Sequence, residues 1–247
     1  MKPLGIKNYG SIGHLPCSRI GPGDHHVHDG QAAICTTKVR DRHDLVIVQE
    51  KLDGSNVGAA KVNGEIHALT RAGYLASTSP YEQHHRFGEW VARNASRFAA
   101  VLQEGERIVG EWLLQAHGTR YLLKHEPFVA FDLMRGKERT PFTEFRERVS
   151  GHFVMPYLIH VGGALSVADA MAAMGEMGQH GAMEPVEGVM YRVERNEQRG
   201  TERVQVVDFL AKYVRPDKAD GCYLEGVTGG PAVYNDRQWW VPGSELA

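Results

Sequence analysis

The chain has 247 residues, enough for one large domain with a modest appendage. Lysine plus arginine number 28 against 30 aspartates plus glutamates, a formal net charge of −2; global charge attracts neither a polyanion nor an anionic membrane, and any nucleic-acid site has to be a local patch. A 42% hydrophobic and 23% charged composition excludes disorder and collagen-like repeats. No apolar run approaches a membrane span, and the opening Met1-Lys2-Pro3-Leu4-Gly5 lacks the apolar stretch of an export signal. Cys17, Cys35 and Cys222 form no C-x-x-C pair, so neither a disulfide framework nor a structural zinc site is supported. A cytoplasmic protein with no membrane partner is expected.

Residues 1–43 are rich in Gly, Pro and His and lack sustained periodicity, which reads as an irregular leader laid over a core. Leu45-Val46-Ile47-Val48 reads as a buried strand that runs into Glu50-Lys51-Leu52-Asp53-Gly54-Ser55-Asn56. Val57 to Val62 and Glu65 to Thr70 flank Asn63-Gly64, a strong hairpin signal. Ser79-Pro80 opens one long helix whose apolar face is Phe87, Val91, Ala95, Phe98 and Leu102. Strands follow at Arg107 to Trp112, Phe128 to Met134, Val186 to Val193 and Val204 to Leu210. One further helix opens at Thr140-Pro141, and another runs from a Ser166–Asp169 capping box to about His180-Gly181. Strands joined by hairpins as well as helices favour an α+β fold with largely antiparallel sheets, in one domain over 1–247: the leader 1–43, a core 44–218 and a short extension 219–247.

Lys51 is the first residue that suggests chemistry. An amine is a nucleophile only when neutral, and an ordinary lysine pKa of about 10.4 makes that rare without desolvation or cationic neighbours. Downstream come, in order, Thr70-Arg71-Ala72-Gly73, Gly110-Glu111-Trp112, Phe128-Val129-Ala130-Phe131-Asp132, Glu187-Gly188-Val189-Met190-Tyr191 and Leu210-Ala211-Lys212-Tyr213. The series resembles the covalent nucleotidyltransferase superfamily of ATP-dependent ligases and mRNA capping enzymes. The Glu-Lys-x-x-Gly-x-Asn form of the first motif is similar to the RNA ligases related to phage T4 RNA ligase 2. Those ligases place His where this chain has Asp53, a departure toward the wider ligase and capping class.

The resemblance implies an adenylation domain of the ligase and capping-enzyme type without a C-terminal OB-fold, since few residues follow Arg215. It implies ATP and Mg²⁺, with Mn²⁺ as a substitute, and a nucleic-acid substrate: RNA ends or a nicked duplex. Lys51 would attack the α-phosphorus of ATP, Glu50 would accept from the adenine exocyclic amine, and Glu111 would accept from the ribose. Arg71 would donate to ribose or phosphate, and Asn56 would orient a 5′-phosphate. Phe131 would stack on the purine, with Phe128 the alternative, because period-two geometry puts them on opposite faces unless the strand bulges. Glu187 would bind the divalent ion, and Lys212 would contact the α-phosphate and help depress the Lys51 pKa. The family's second motif V lysine has no clear counterpart among Arg215 and Lys218, and phosphate contacts would come from residues such as Arg71, Arg215 and Lys218. Other readings are a DNA ligase-like or capping-type enzyme and a non-catalytic nucleotide-binding module.

Three remaining features carry bland readings. His25-His26-x-His28 is a surface loop more than a metal site, His84-His85 belongs to a helix and needs no special role, and Trp239-Trp240 ties down the C-terminus.

Overall fold

A computed structural model describes residues 1–235; Trp239-Trp240 lies outside the described residues. The strands are β1 (Gly13–His14), β2 (Leu45–Lys51), β3 (Ser55–Val62), β4 (Glu65–Thr70), β5 (Glu106–Trp112), β6 (Phe128–Arg135), β7 (Glu138–Arg139), β8 (Leu158–Gly162), β9 (Gly188–Arg199) and β10 (Glu202–Val214). The helices are α1 (Asp29–Thr36), α2 (Glu82–Arg93), α3 (Ala95–Val101), α4 (Phe142–Val149), α5 (Val167–Met174) and α6 (Glu225–Thr228). Two five-stranded sheets result, ordered β1-β10-β9-β2-β8 and β4-β3-β5-β6-β7. Every pairing is antiparallel except β1 with β10, so the fold is α+β as expected.

The chain steps from the first sheet to the second between β2 and β3, across Leu52-Asp53-Gly54. Alternation along β2 sorts its side chains: Ile47 joins the core under the second sheet, where Phe87, Phe98, Trp112, Phe128 and Phe153 pack, whereas Val46 and Val48 join Cys35, Ala170, Val189 and Tyr191. Lys51 shares the Ile47 side by period, which turns it toward the space between the sheets.

Several expectations need correction. The leader is not wholly irregular: His14 sits in β1 beside Lys212 of β10, and α1 packs Ala32 and Cys35 into the core. The long helix is two, broken at Asn94, whose side-chain oxygen accepts from Arg97 at 2.8 Å while its amide donates back to the Trp90 carbonyl at 2.8 Å. The helix begun by Ser166 does use that hydroxyl as its cap, accepting from the Asp169 N–H at 3.1 Å, yet it ends at Met174, and residues 176–181 turn back toward β2. β9 and β10 run longer than their apolar stretches because their polar distal halves still pair, as Val204 with Glu197 and Glu202 with Arg199.

A buried polar cluster ties the two sheets together. Asp132 of β6 accepts from Arg192 of β9 at 2.7 Å, from Arg139 at 2.8 Å and from the Tyr9 hydroxyl at 3.0 Å. Asp132 and Arg192 are both buried, so removing one partner strands the other's charge. Asp132→Ala is expected to cost about 3–5 kcal/mol, read as a lower urea midpoint with an unchanged slope.

Candidate active site

Between the sheets lies a cleft of about 750 Å³ whose lining includes Lys51, Glu187, Lys212 and Glu50, together with Asn56, Arg71, Glu111 and Phe131. All eight residues singled out from the sequence therefore meet in one cavity, although they come from both sheets and from segments scattered between Glu50 and Lys212.

Lys51 ends β2, and its Nζ lies 2.5 Å from Glu187 Oε2. Glu187 immediately precedes Gly188, which pairs with Lys51 on one side and Val214 on the other. A Cβ at Gly188 would stand 1.9 Å from the Tyr213 carbonyl oxygen, so only glycine lets β9 enter there and bring the carboxylate in. Gly54 has a like role at the crossover: a Cβ would meet the Trp112 carbonyl oxygen at 2.6 Å, and the glycine N–H donates instead to Glu111 at 3.2 Å. Asp53 also lines the cleft, and its hydrogen bonds anchor it to the wall. It accepts from the Gly118 N–H at 3.0 Å and the Thr119 hydroxyl at 3.2 Å, and its own N–H donates to the Tyr121 hydroxyl at 3.0 Å.

The electrostatics correct one expectation. Burial disfavours the Lys51 ammonium, but the carboxylates of Glu187, Glu111 and Asp53 outweigh it and hold its pKa above the ordinary value. In the free protein Lys51 is a protonated ion-pair partner, because the carboxylates outweigh whatever Lys212 contributes. Lys212 itself is lowered, by burial first and then by Lys51. The carboxylates carry the complementary strain: burial, set against Lys51 and reinforced by Glu187 and Asp53, pushes Glu111 up to about 8, and burial likewise raises Glu187. Both shifts are set first by burial, which disfavours the charged carboxylates.

Glu50 is buried in the cleft wall. One oxygen accepts from the Gln179 N–H at 2.9 Å; Oε1 has no partner. Burial, only partly offset by that N–H, pushes its pKa up to about 7. The backbone around it is locked by two histidines that sequence reasoning missed. Because the Tyr157 N–H donates to His180 Nε2 at 3.1 Å, His180 carries its proton on Nδ1 and donates to His125 Nε2 at 2.9 Å, and His125 donates in turn to the Glu126 carbonyl at 2.7 Å. Burial, with His125 beside it, pushes His180 down to about 4, so its ring stays neutral. Asn56 also carries a buried oxygen without a partner.

The β5–β6 register settles which phenylalanine faces the cleft. Val109 pairs with Asp132 and Gly110 with Ala130, so Phe131 is the extra residue of a β-bulge; it lines the cleft against Tyr9, with ring centroids 5.3 Å apart, while Phe128 stays in the core.

Three further placements differ from expectation. Lys218 is buried and fixed by Gly118, Thr119 and Asp53, and Arg215 is engaged by Asp217 and the Val186 carbonyl; neither lines the cleft. The leader supplies Asp24, 3.5 Å from Lys212 and 3.1 Å from His14; no spacing in the sequence points to it. His84 lines the cleft, bonded at 2.6 Å to the Ser79 hydroxyl and at 2.9 Å to that of Ser55.

The cleft fits a purine nucleotide and a divalent cation: partnerless oxygens at Glu50 and Asn56, the half-buried ring of Phe131, and the buried carboxyls of Glu111 and Glu187. Among the described residues no group of three or more His, Cys, Asp or Glu is arranged to hold a metal by itself.

Comparison with known proteins follows the same line. The family model described as RNA ligase matches residues 44–214. An uncharacterized protein of Methanocaldococcus jannaschii is 50% identical over 32 residues, 13% of this chain and 8% of that protein. Similar solved structures include an archaeal ATP-dependent RNA ligase (22% identity, 70% of this chain and 43% of that one, TM-score 0.43) and a putative ATP-dependent DNA ligase from Aquifex aeolicus (16%, 83% and 49%, 0.46). A Naegleria gruberi RNA ligase variant with ATP and Mn is 13% identical, covering 85% of this chain and 61% of that one, at a TM-score of 0.49. The chain thus spans about half the length of these solved structures. Among the described residues no helix is long and apolar enough to cross a membrane.

The raised Glu50 pKa has a consequence for stability. Between the ordinary carboxyl value of 4.5 and about 7 the folded protein binds more protons than the unfolded chain, so this group lowers stability as pH rises through that window. Glu50→Gln is expected to stabilise the unliganded protein at pH 8, by at most about 3 kcal/mol, with the gain vanishing below pH about 4.5. Urea midpoints of both proteins across that range measure it.

Proposed function

Because the chain belongs to the RNA ligase family, whose model spans residues 44–214, we propose that it is an ATP-dependent ligase that joins 5′-phosphate and 3′-hydroxyl ends of RNA through a lysyl-AMP intermediate. The observation that carries this reading is Lys51 inside the cleft, held 2.5 Å from Glu187 and surrounded by groups of the right chemistry for a nucleotide.

The Lys51 nitrogen attacks the α-phosphorus of ATP. An N–P bond forms, the bond to the bridging oxygen breaks, and pyrophosphate leaves. Lys51 starts protonated and paired, so the amine has to lose both its proton and the grip of Glu187 first. Glu187, with Glu111 beside it, is the anionic surface that Mg²⁺ or Mn²⁺ would share with the phosphates; when bound, the ion neutralises those carboxylates and polarises phosphate oxygens. Lys212 places a second cation at the α-phosphate as charge develops. Glu50 offers its partnerless oxygen to the adenine amine, Phe131 stacks on the ring, and Glu111 and Arg71 contact ribose and phosphate.

AMP then passes to a 5′-phosphate, oriented by Asn56, and a 3′-hydroxyl displaces it to close the strand. We read the whole chain as one nucleotidyltransferase domain in which the leader, through Asp24 and His14, steadies Lys212. Cys17, Cys35 and Cys222 are free thiols, which suits work in the reducing cytoplasm.

Incubation with labelled ATP and Mg²⁺ tests the first step: a protein-linked label that is acid-labile and alkali-stable is expected, and Lys51→Ala abolishes it. Glu187→Ala and Lys212→Ala should each slow labelling by about 10²–10³, whereas Glu111→Ala chiefly raises the KM for ATP. Label retained in Lys51→Ala would put the nucleophile elsewhere, and binding without any covalent label would make the protein a nucleotide-binding module.

A further inference from the structure

Two tyrosines at the cleft mouth stand in solvent. Tyr74 is 49% and Tyr81 62% exposed, and both line the cavity that holds Lys51. Neither ring belongs to a core cluster.

Both nevertheless sit on pinned backbone. Tyr74 closes a turn in which the Thr70 N–H donates to the Tyr74 carbonyl at 2.9 Å and the Gly73 N–H to the Thr70 carbonyl at 2.9 Å; the Tyr9 N–H ties that turn to the leader through the Arg71 carbonyl at 3.2 Å. Tyr81 donates its N–H to the Ser79 hydroxyl at 3.2 Å, and that hydroxyl is held by His84. His85 fixes the Ser79 carbonyl from the other side at 2.6 Å, and the Tyr81 ring stands edge-on to His84 with centroids 5.7 Å apart. Rings mounted this way lose little freedom when something stacks on them.

The surrounding charge is positive. Arg71 is exposed, with one long bond at 3.4 Å to the Gly10 carbonyl, and Lys2 Nζ lies 4.8 Å from the Tyr74 ring centroid. The nearest acid in sequence, Glu82, is taken by Arg86. Exposed aromatic faces beside cations are the chemistry that accepts successive bases of a single strand while tolerating any sequence.

We infer that Tyr74 and Tyr81, with Arg71, form a base-stacking subsite for the unpaired end of a polynucleotide strand presented to Lys51. The inference rests on the ligase reading for the strand's purpose; stacking itself requires no adenylylation.

Anisotropy of a labelled 5′-phosphorylated single-stranded oligoribonucleotide, titrated with the full-length protein without ATP, tests it. Tyr74→Ala and Tyr81→Ala should each raise the Kd by roughly five- to a hundredfold, Tyr→Phe at either position should restore binding, and an abasic oligomer of equal length should be insensitive to the alanine changes. ATP-dependent labelling of Lys51 in the same preparations should be unchanged. Affinity unaltered by both alanine variants, or no oligomer binding by the parent, overturns the subsite; so does a raised KM for ATP with unaltered oligomer binding, which moves the tyrosines to the nucleotide. Absence of the lysyl adduct in the parent counts against the ligase reading and leaves the stacking result standing by itself.

Discussion

The contact on which the rest depends is the ion pair between Lys51 and Glu187, formed where β2 leaves the first sheet and β9 enters it. Neither strand could bring its charge there alone. β9 reaches the position only because Gly188 has no side chain, and β2 can turn into the second sheet only because Gly54 passes against the Trp112 carbonyl. Bringing a lysine and a glutamate out of water costs several kcal/mol per ion, and their attraction returns most of it only while both remain. The pair is thus a stable resting state whose opening needs another source of charge for Glu187.

That requirement organises the cleft. Burial raises Glu111 and Glu187, the charge of Asp53 adds to both and that of Glu187 to Glu111, and the three carboxylates together hold Lys51 protonated. The same carboxylates that suppress the amine in the free protein are what attracts a cation able to relieve them. Glu50, with one oxygen partnerless, and Asn56, with another, are buried polar atoms whose cost the fold carries until a ligand supplies donors. Stability given up at such points is compensated elsewhere, in the aromatic core and in the Asp132 cluster that joins the sheets.

Much of this was legible in the sequence because it is local. Hairpin chemistry at Asn63-Gly64, the Ser166 cap and the apolar run Leu45-Val46-Ile47-Val48 of β2 depend on neighbours within a few residues. The eight cleft residues were found through short motifs whose order survives in the chain even though their meeting is tertiary. What escaped was set by contacts distant in sequence. The break at Asn94 follows an Arg97 held by Glu126, the polar ends of β9 and β10 are strands only because they pair with each other, and Asp24 reaches Lys212 only because β1 lies alongside β10. Phe131 was ambiguous for the same reason: period two sends it away from the Phe128 face, and the extra residue in β6 is what turns its half-buried ring to the cleft.

The leader shows how a segment without periodicity can still be part of a site. A cation is awkward to keep in a half-buried position beside Lys51, because two ammonium groups repel each other and burial disfavours both. Asp24 answers this by standing 3.5 Å from Lys212, with His14 and the Gly21 N–H holding its other oxygen. The His14 ring is in turn fixed at 2.7 Å by the Ser18 hydroxyl, which also accepts from the Val214 N–H at 2.9 Å, so the support closes on the strand that carries Lys212. A mobile carboxylate would serve as a counter-ion equally well in charge, but one anchored by the Gly21 N–H and standing beside His14 of β1 also fixes where Lys212 points. The Gly- and His-rich composition of the leader follows from that task, since a segment that folds over a sheet edge and returns needs tight turns more than it needs a periodic face.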